Sequence, residues 1–366
     1  MTDKSTTAHQ DSAALAALLA NAVPKVCSAA VALIAVDGKV AASAAVGEIV
    51  RFAGASEELL PIRPPAGRDA IFDLASITKL FTTTVIMSLV EDGGLDLDTP
   101  VSTWLLNGYG GHPQTTLRHL LTHTAGLPPS RRADKEIPGG GPDIHAKRLE
   151  RVLSTEPVNP LGHTHLYSDV GMVTAGRVAE LAGKAPLDDL VHKRITRPLG
   201  LNDTFYRPSA FSLSRIVATE HRIERPGTGC VRGEVHDETA YGLGGVAGHA
   251  GLFSTADDLL TFAEALRTGG APLLTPDSVA EMTRDHGAEG APYRQALGFR
   301  LGDPAIVGPL TTAYGHSGFT GTSLVIDPVR ALTVILLTNN VHPLRDRPGI
   351  RSLRHAVATH ALRLAG

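Results

Sequence analysis

Two cysteines, Cys27 and Cys230, are all that 366 residues contain. So few make no disulfide framework, and each reads as a small buried apolar residue. A basic run is missing as well: Lys and Arg total 34 against 37 Asp and Glu, a formal charge of -3. That balance argues against nucleic acid or an anionic membrane as the main partner. No apolar stretch is long enough to span a bilayer. Residues 13–20 and 31–36 are apolar, but Asp3 and Asp11 stand where a secretion signal carries positive charge, and Pro24 and Lys25 interrupt the run. The expectation is therefore no signal peptide, no membrane span and a cytoplasmic location. Internal repeats are absent, and nothing in the sequence marks an oligomeric state.

The chain is 43% hydrophobic and 19% charged, which suits a globular protein with a sizeable core. Its length exceeds that of one ordinary compact domain, so one large or two interleaved domains are expected. Residues 12–22 read as a short helix. Residues 29–36 and 40–46 flank Asp37-Gly38, a strong hairpin signal. The polar, proline-rich stretch 54–69 reads as loop. From Ser76 the pattern is helical and apolar nearly all round, the mark of a buried helix, and Gly93-Gly94 ends it. Several helical patterns separated by Gly/Pro loops follow; the longest loop is 128–143. Ser254-Thr255-Ala256-Asp257 is a helix N-cap signature. Strands return at 322–326 and 331–338, and a last helix spans about 350–364. Strands at both ends with helices between them predict an α+β fold: an antiparallel sheet built from both termini, flanked by helices, with a large helical insertion. The predicted division is 1–94 plus 292–366 for the sheet-containing part and 95–291 for the helical part, with the site between them.

Ser76-Ile77-Thr78-Lys79 is the only S-x-x-K in the sequence. A serine hydroxyl is a weak nucleophile at neutral pH and needs a base beside it. Residues i and i+3 share a helix face, so a helix starting near Ser76 brings the Lys79 amine to the Ser76 oxygen. Tyr167-Ser168-Asp169 lies about 90 residues on. It reads either as a loop tyrosine with Asp169 capping the next helix, or as a phenol that exchanges a proton with the serine or the leaving group. His316-Ser317-Gly318 comes third. It reads either as a glycine-rich strand entry or as a cleft-lining edge strand, where the Phe319 amide joins that of Ser76 as an oxyanion hole.

Three such elements in this order and spacing resemble the serine hydrolases built like class C β-lactamases, low-molecular-mass DD-peptidases and family VIII esterases. Class A relatives carry S-D-N and K-T-G as second and third motifs. Residues 120–128, Leu-Leu-Thr-His-Thr-Ala-Gly-Leu-Pro, and 251–259, Gly-Leu-Phe-Ser-Thr-Ala-Asp-Asp-Leu, resemble further family stretches, so the likeness runs from about residue 28 to 360. The resemblance implies Ser76 as nucleophile, Lys79 as its base partner and Tyr167 as proton shuttle. It places the Ser76 and Phe319 amides at the oxyanion, with His316, Ser317 and Gly318 lining the substrate. It calls for no cofactor and no metal, and for a small-molecule substrate.

Two positions depart from the usual pattern. Asp169 stands where the class C-like branch usually has Asn; an ionised carboxylate accepts hydrogen bonds but does not donate, and it could instead pair with Lys79 and hold it charged. His316 replaces the lysine typical of β-lactamases, and a neutral imidazole binds a carboxylate less well than an ammonium does. The stretch 235–251 resembles a subgroup with DD-carboxypeptidase-like proteins and domains attached to β-hexosaminidases. It reads either as a loop over the cleft, with His236, Asp237 or His249 touching substrate, or as a glycine-dense turn with structural histidines.

Other signals fall away. Residues 242–247 satisfy G-x-G-x-x-A but follow a charged stretch, not an apolar strand. Gly315-His316-Ser317-Gly318-Phe319 lacks the last glycine of a nucleophile elbow. His119 and His123 enclose leucines rather than the zincin glutamate, and His163 and His165 lack a third clustered ligand. The resulting expectation is a serine hydrolase that forms an acyl-enzyme on a small ester or a D-amino-acid-containing amide. The alternatives are a DD-carboxypeptidase or muropeptide hydrolase, then a β-lactamase or acyltransferase, then a non-catalytic penicillin-binding or sensor module.

Overall fold

The computed structural model describes residues 4–106, 108–225 and 229–366; Asp3, used in reading the N-terminus, lies outside them. Helix α1 (Lys4–Ala22) leads into strands β1 (Ala29–Val36) and β2 (Lys39–Gly47). Asp37 and Gly38 between them have φ of 51° and 72°, the paired positive values of a tight hairpin turn. Strands β3 (Phe72–Asp73), β4 (Phe205–Tyr206) and β5 (Leu252–Ser254) form a small sheet in the order β3-β5-β4. From the C-terminal part come β6 (Arg294–Gln295), β7 (Arg300–Leu301), β8 (Tyr314–Ser317), β9 (Ser323–Asp327) and β10 (Leu332–Thr338). They join the N-terminal hairpin in one antiparallel sheet ordered β2-β1-β10-β9-β8-β7-β6. A sheet from both ends of the chain, with helices on it, is the expected α+β arrangement.

The central strands are apolar on both faces because both faces are covered. In β1, Val31, Leu33 and Ala35 point into one core while Ala30, Ala32 and Ile34 point into the other. The smaller core is closed by Leu15 and Leu19 of α1 and by Leu353, Val357 and Ala361 of the last helix. The larger core receives α2 (Thr78–Glu91), whose residues from Thr78 to Leu89 are all buried. Phe81 of α2 stacks on Phe262 at 4.1 Å, and Phe262 belongs to the helix Ala256–Arg267, capped by Thr255.

Several boundaries differ from the sequence reading. Helix α1 starts at Lys4 rather than residue 12. Residues 75–77 form a 3-10 turn, so the α-helix begins at Thr78, just after the candidate nucleophile. The long loop 128–143 holds one helical turn, Ala133–Glu136. The helix Asp169–Gly183, labelled α3 here, is capped by the Ser168 hydroxyl, not by Asp169. The last helix, Ile350–Leu364, labelled α4, falls where expected. No helix among the described residues is long and apolar enough to cross a membrane.

Candidate active site

Strand β3 delivers the chain to Ser76 through Ala75, whose φ of 46° is left-handed, an unfavourable conformation for a residue with a Cβ. The buried Asp73 holds this turn. Its Oδ1 accepts from the Ala75 amide at 2.8 Å and its Oδ2 from the His236 amide at 2.6 Å. Burial nonetheless leaves the Asp73 carboxyl above the ordinary carboxylate value. From the other side the Thr320 hydroxyl donates to the Asp73 carbonyl at 2.8 Å and the Thr322 hydroxyl to the Leu74 carbonyl at 3.1 Å. Ser76 itself is half-buried.

Lys79 follows one turn later and is fully buried. Its Nζ meets three acceptors: Ser76 Oγ at 2.8 Å, Asp169 Oδ1 at 2.8 Å and the His249 carbonyl at 3.2 Å. The Tyr167 side chain is a further hydrogen-bond partner of this amine. Burial alone would push this amine down, but the Asp169 carboxylate and Tyr167 outweigh it and hold it above the ordinary lysine value. In the resting site Lys79 is therefore a cation that donates to Ser76. Asp169 pairs with it rather than capping α3.

Tyr167 packs its ring 4.9 Å from Lys79 Nζ and 4.9 Å from the guanidinium carbon of Arg300. The segment that carries it is tied to the 120–128 stretch. The Leu166 amide donates to the His123 carbonyl at 2.8 Å, the Ser168 amide to His123 Nδ1 at 3.2 Å and the Asp169 amide to the Pro129 carbonyl at 2.8 Å. The His123 ring lies 4.5 Å from that of Tyr167. Burial first, then the cations Lys79 and Arg300 and the neighbouring His165, keeps His123 neutral, well below the ordinary histidine value. His165 itself meets Gln295 Oε1 at 3.2 Å, and His163 is exposed.

Strand β8 brings the third motif. His316 is buried, with its Nδ1 2.8 Å from the Ser317 carbonyl. Burial, Arg300 and Lys79 keep it neutral. Its ring faces that of Tyr167 at 6.1 Å. Gly318 passes so close to the nucleophile turn that a Cβ there would sit 2.1 Å from Thr322 Oγ1 and 2.4 Å from the Leu74 carbonyl. Only glycine lets the strand come this near. Phe319 comes next and lines the same cavity as Ser76, and neither residue's amide donates to another protein group among the described residues. The Phe319 side chain is 56% exposed at the mouth, with His236 stacked on it at 5.7 Å.

His236 and His249 are brought near the site but not into its cavity. His236 Nε2 lies 2.8 Å from Glu220 Oε2, and His249 Nε2 lies 2.8 Å from Asp237 Oδ1. Both side chains are buried, because the glycine-dense turn folds back onto α2: the Gly248 and His249 carbonyls accept from Thr82 and Lys79. Burial would lower His249, but Asp237 and Asp169 raise it above the ordinary value. Asp169, Asp237 and His249 offer ligand atoms within 4.8 Å of one another. Their charges are already met by Lys79 and by the His249–Asp237 pair, so the cluster reads as a charge network around the lysine.

A cavity of about 500 Å³ opens beside Ser76 and Tyr167. Its wall carries Arg300, Arg347, Arg351 and Arg354 against one carboxylate, Asp346. Arg347 is paired with Glu57 and Arg300 with Asp303, whereas Arg351 has no ion-pair partner among the described residues. These arginines, and the buried Asp73, were not found from sequence. They lie outside the three motifs, and the two on α4 look like ordinary solvent-facing helix charges.

Three kinds of likeness to known proteins accompany this geometry. A family model described as Beta-lactamase matches residues 16–359. A protein of Escherichia coli (strain K12) named "Putative D-alanyl-D-alanine carboxypeptidase" is 31% identical over 348 residues, covering 86% of this chain and 79% of its own. Among solved structures, EstCE1, described as a hydrolase with promiscuous acyltransferase activity, superposes with a TM-score of 0.71 at 23% identity over 96% of this chain and 99% of its own. A simvastatin synthase from Aspergillus terreus gives 0.72 at 21% identity over 98% of each chain. At these identities the two structures speak for the fold alone.

Proposed function

Because the chain belongs to the Beta-lactamase family, we propose that it is a serine hydrolase for small acyl substrates that carry a carboxylate. Foremost are amides ending in a D-amino acid, with small esters processed through the same acyl-enzyme. The observation that carries this reading is the Ser76 hydroxyl, 2.8 Å from a charged Lys79, at the edge of a cavity walled by four arginines. An arginine wall suits a carboxylate, since guanidinium groups stay charged and present a planar fork of donors. The relatives named as carboxypeptidases point the same way. Asp169 is engaged with Lys79 and offers no side-chain amide for a β-lactam carbonyl, which ranks a β-lactamase lower.

The chemistry follows from the proton inventory. Lys79 has no free lone pair while it is an ammonium, so Tyr167, whose ring lies between two cations, is the group that takes the Ser76 proton. The serine oxygen bonds to the carbonyl carbon and the new oxyanion is met by the Ser76 and Phe319 amides. Tyr167 passes its proton to the departing amine or alkoxide, the C–N or C–O bond breaks, and an acyl-Ser76 remains. A water then gives a proton to Tyr167 as its oxygen bonds to the acyl carbon; the C–Oγ bond breaks, Ser76 takes that proton back from Tyr167, and the acid leaves.

The test pairs two substrates with two proteins. The native chain should release D-alanine from a diacetyl-lysyl-D-Ala-D-Ala peptide and p-nitrophenol from p-nitrophenyl butyrate, and Ser76→Ala should abolish both. Ester turnover alone would leave a hydrolase without the carboxylate preference. Equal rates in native and Ser76→Ala protein would end the acyl-enzyme reading.

A further inference from the structure

Arg354 of α4 is a buried cation, 9% exposed, with no carboxylate in salt-bridge contact among the described residues. Its Nη2 donates to the Thr322 carbonyl at 3.0 Å and, more weakly, to the Gly318 carbonyl at 3.4 Å. Its Nε is buried without a hydrogen-bond partner. Burial, with Arg300 and Arg351 close by, pushes its guanidinium down to about 10. A buried charge with no carboxylate in contact is costly, and only the more distant Asp303 offsets it. Its place here asks for a reason other than stability.

The reason lies in the peptide it touches. The Gly318 carbonyl and the Phe319 amide belong to one peptide unit, and in a trans peptide the C=O and N–H point in opposite directions. The Gly321 amide donates to the Gly318 carbonyl at 3.1 Å, and a guanidinium drawing that carbonyl toward α4 as well sets the Phe319 N–H on the opposite side of the peptide, away from α4. The other side of the same turn is fixed by Thr320 and Thr322 on the backbone of Asp73 and Leu74. Positive charge at the carbonyl end also polarises the unit, so that its N–H meets a developing oxyanion more strongly.

We propose that Arg354 is a positioning residue for the oxyanion hole, orienting and polarising the Gly318–Phe319 peptide from behind. This rests on the hydrolase reading of Ser76. It assigns the last helix a part in transition-state stabilisation that is separate from any contact of the arginine wall with substrate.

The experiment compares Arg354→Lys and Arg354→Gln with the native chain on p-nitrophenyl butyrate, which has no carboxylate for the wall to hold. Arg354→Gln should lower kcat about tenfold to a hundredfold, somewhat less than loss of a whole oxyanion donor, with KM little changed. Arg354→Lys should recover part of that loss, because it restores charge. Affinity for phenylboronic acid, whose tetrahedral adduct on serine mimics the oxyanion, should weaken by the same factor as kcat/KM; calorimetry reads it without turnover. Unchanged ester kcat, with only a raised KM for the D-Ala-D-Ala peptide, would make Arg354 a substrate ligand and overturn the proposal. Equal losses in the Lys and Gln variants with unchanged boronate affinity would do the same. A native chain that hydrolyses nothing and binds no boronate would sink the hydrolase reading itself, a result distinct from either.

Discussion

Lys79 meets Ser76, the His249 carbonyl, Tyr167 and Asp169, and of these Asp169 carries the full negative charge. That carboxylate and Tyr167 together keep a completely buried amine protonated against the pull of burial. Asp169→Asn keeps the shape, and the family's second motif usually carries Asn there, so the fold should accept it. The charge balance should not survive. With the raising influence gone, Lys79 loses its proton at a lower pH, and the alkaline limb of the pH–rate profile for p-nitrophenyl butyrate should move to lower pH. A drop in kcat/KM of about a hundredfold is expected, within the range of a disturbed proton-transfer group. An alkaline limb that stays in place would show that Asp169 does not hold the Lys79 charge. The identity of residue 169 was legible in the sequence, and its pairing with Lys79 followed from charge. Its alternative role as helix cap did not hold, because Ser168, one residue earlier, reaches the Gly171 amide at 3.1 Å and leaves the carboxylate free to turn inward.

At the scale of elements, the site is the meeting of three short segments whose motifs could be read and one helix whose part could not. The nucleophile turn, the Tyr167 segment and β8 each carry a local pattern: S-x-x-K spacing, a polar break before an apolar helix, a glycine after a strand. Helix α4 was placed correctly as an element. The inward turn of Arg354, however, depends on where β8 and β9 lie, a long-range fact with no local signature. The same applies to Asp73, an ordinary acidic residue until the 235–251 turn folds onto it. Glycine at 318 shows how narrow the junction is. Gly318→Ala would drive a Cβ into backbone at 2.4 Å from the Leu74 carbonyl, and nothing there is a flexible side-chain end that could yield except Thr322 Oγ1. The strand must then retreat from the nucleophile turn. Ester turnover by Gly318→Ala should fall by at least about a hundredfold, the scale of losing one oxyanion donor, while circular dichroism stays native in shape. Activity within about twofold of native would mean that the Phe319 amide is not an oxyanion donor.

Across the whole molecule, the sheet is sealed by core on both faces, and that burial traps several histidines away from water. His123, His316 and His342 are each no more than 2% exposed and are held neutral. His342 shows why protonation would be disruptive: its Nε2 accepts from the Arg51 and Phe52 amides at 3.2 Å, and its pKa is pushed by burial from 6.5 down to about 4. For such a group the unfolded chain takes up its proton first. The stabilisation is complete above 6.5 and is lost as pH falls from there toward the folded value. His249 works the other way: raised by Asp237 and Asp169, it favours the fold below 6.5, and that share is lost as pH rises through its folded value. The depressed carboxylates, Glu281 at about 2 among them, weaken the fold only below the ordinary glutamate value of 4.5. Between about pH 6.5 and pH 5 the lowered histidines, His119, His165 and His286 among them, act together against the opposing raised Asp73. His342, with its folded value of about 4, should cost up to about 2 kcal/mol across that interval, since one pKa unit is worth about 1.4 kcal/mol, and His123 and His316 act in the same direction. Urea unfolding at the two pH values should show the midpoint falling by several tenths of a molar or more toward pH 5, with a proton uptake on unfolding above one. His249→Gln should leave that acid limb in place and flatten the loss above pH 6.5. A midpoint that does not move between pH 6.5 and pH 5 would mean that these rings reach solvent in the folded protein, and the sealed two-faced core described here would have to be abandoned.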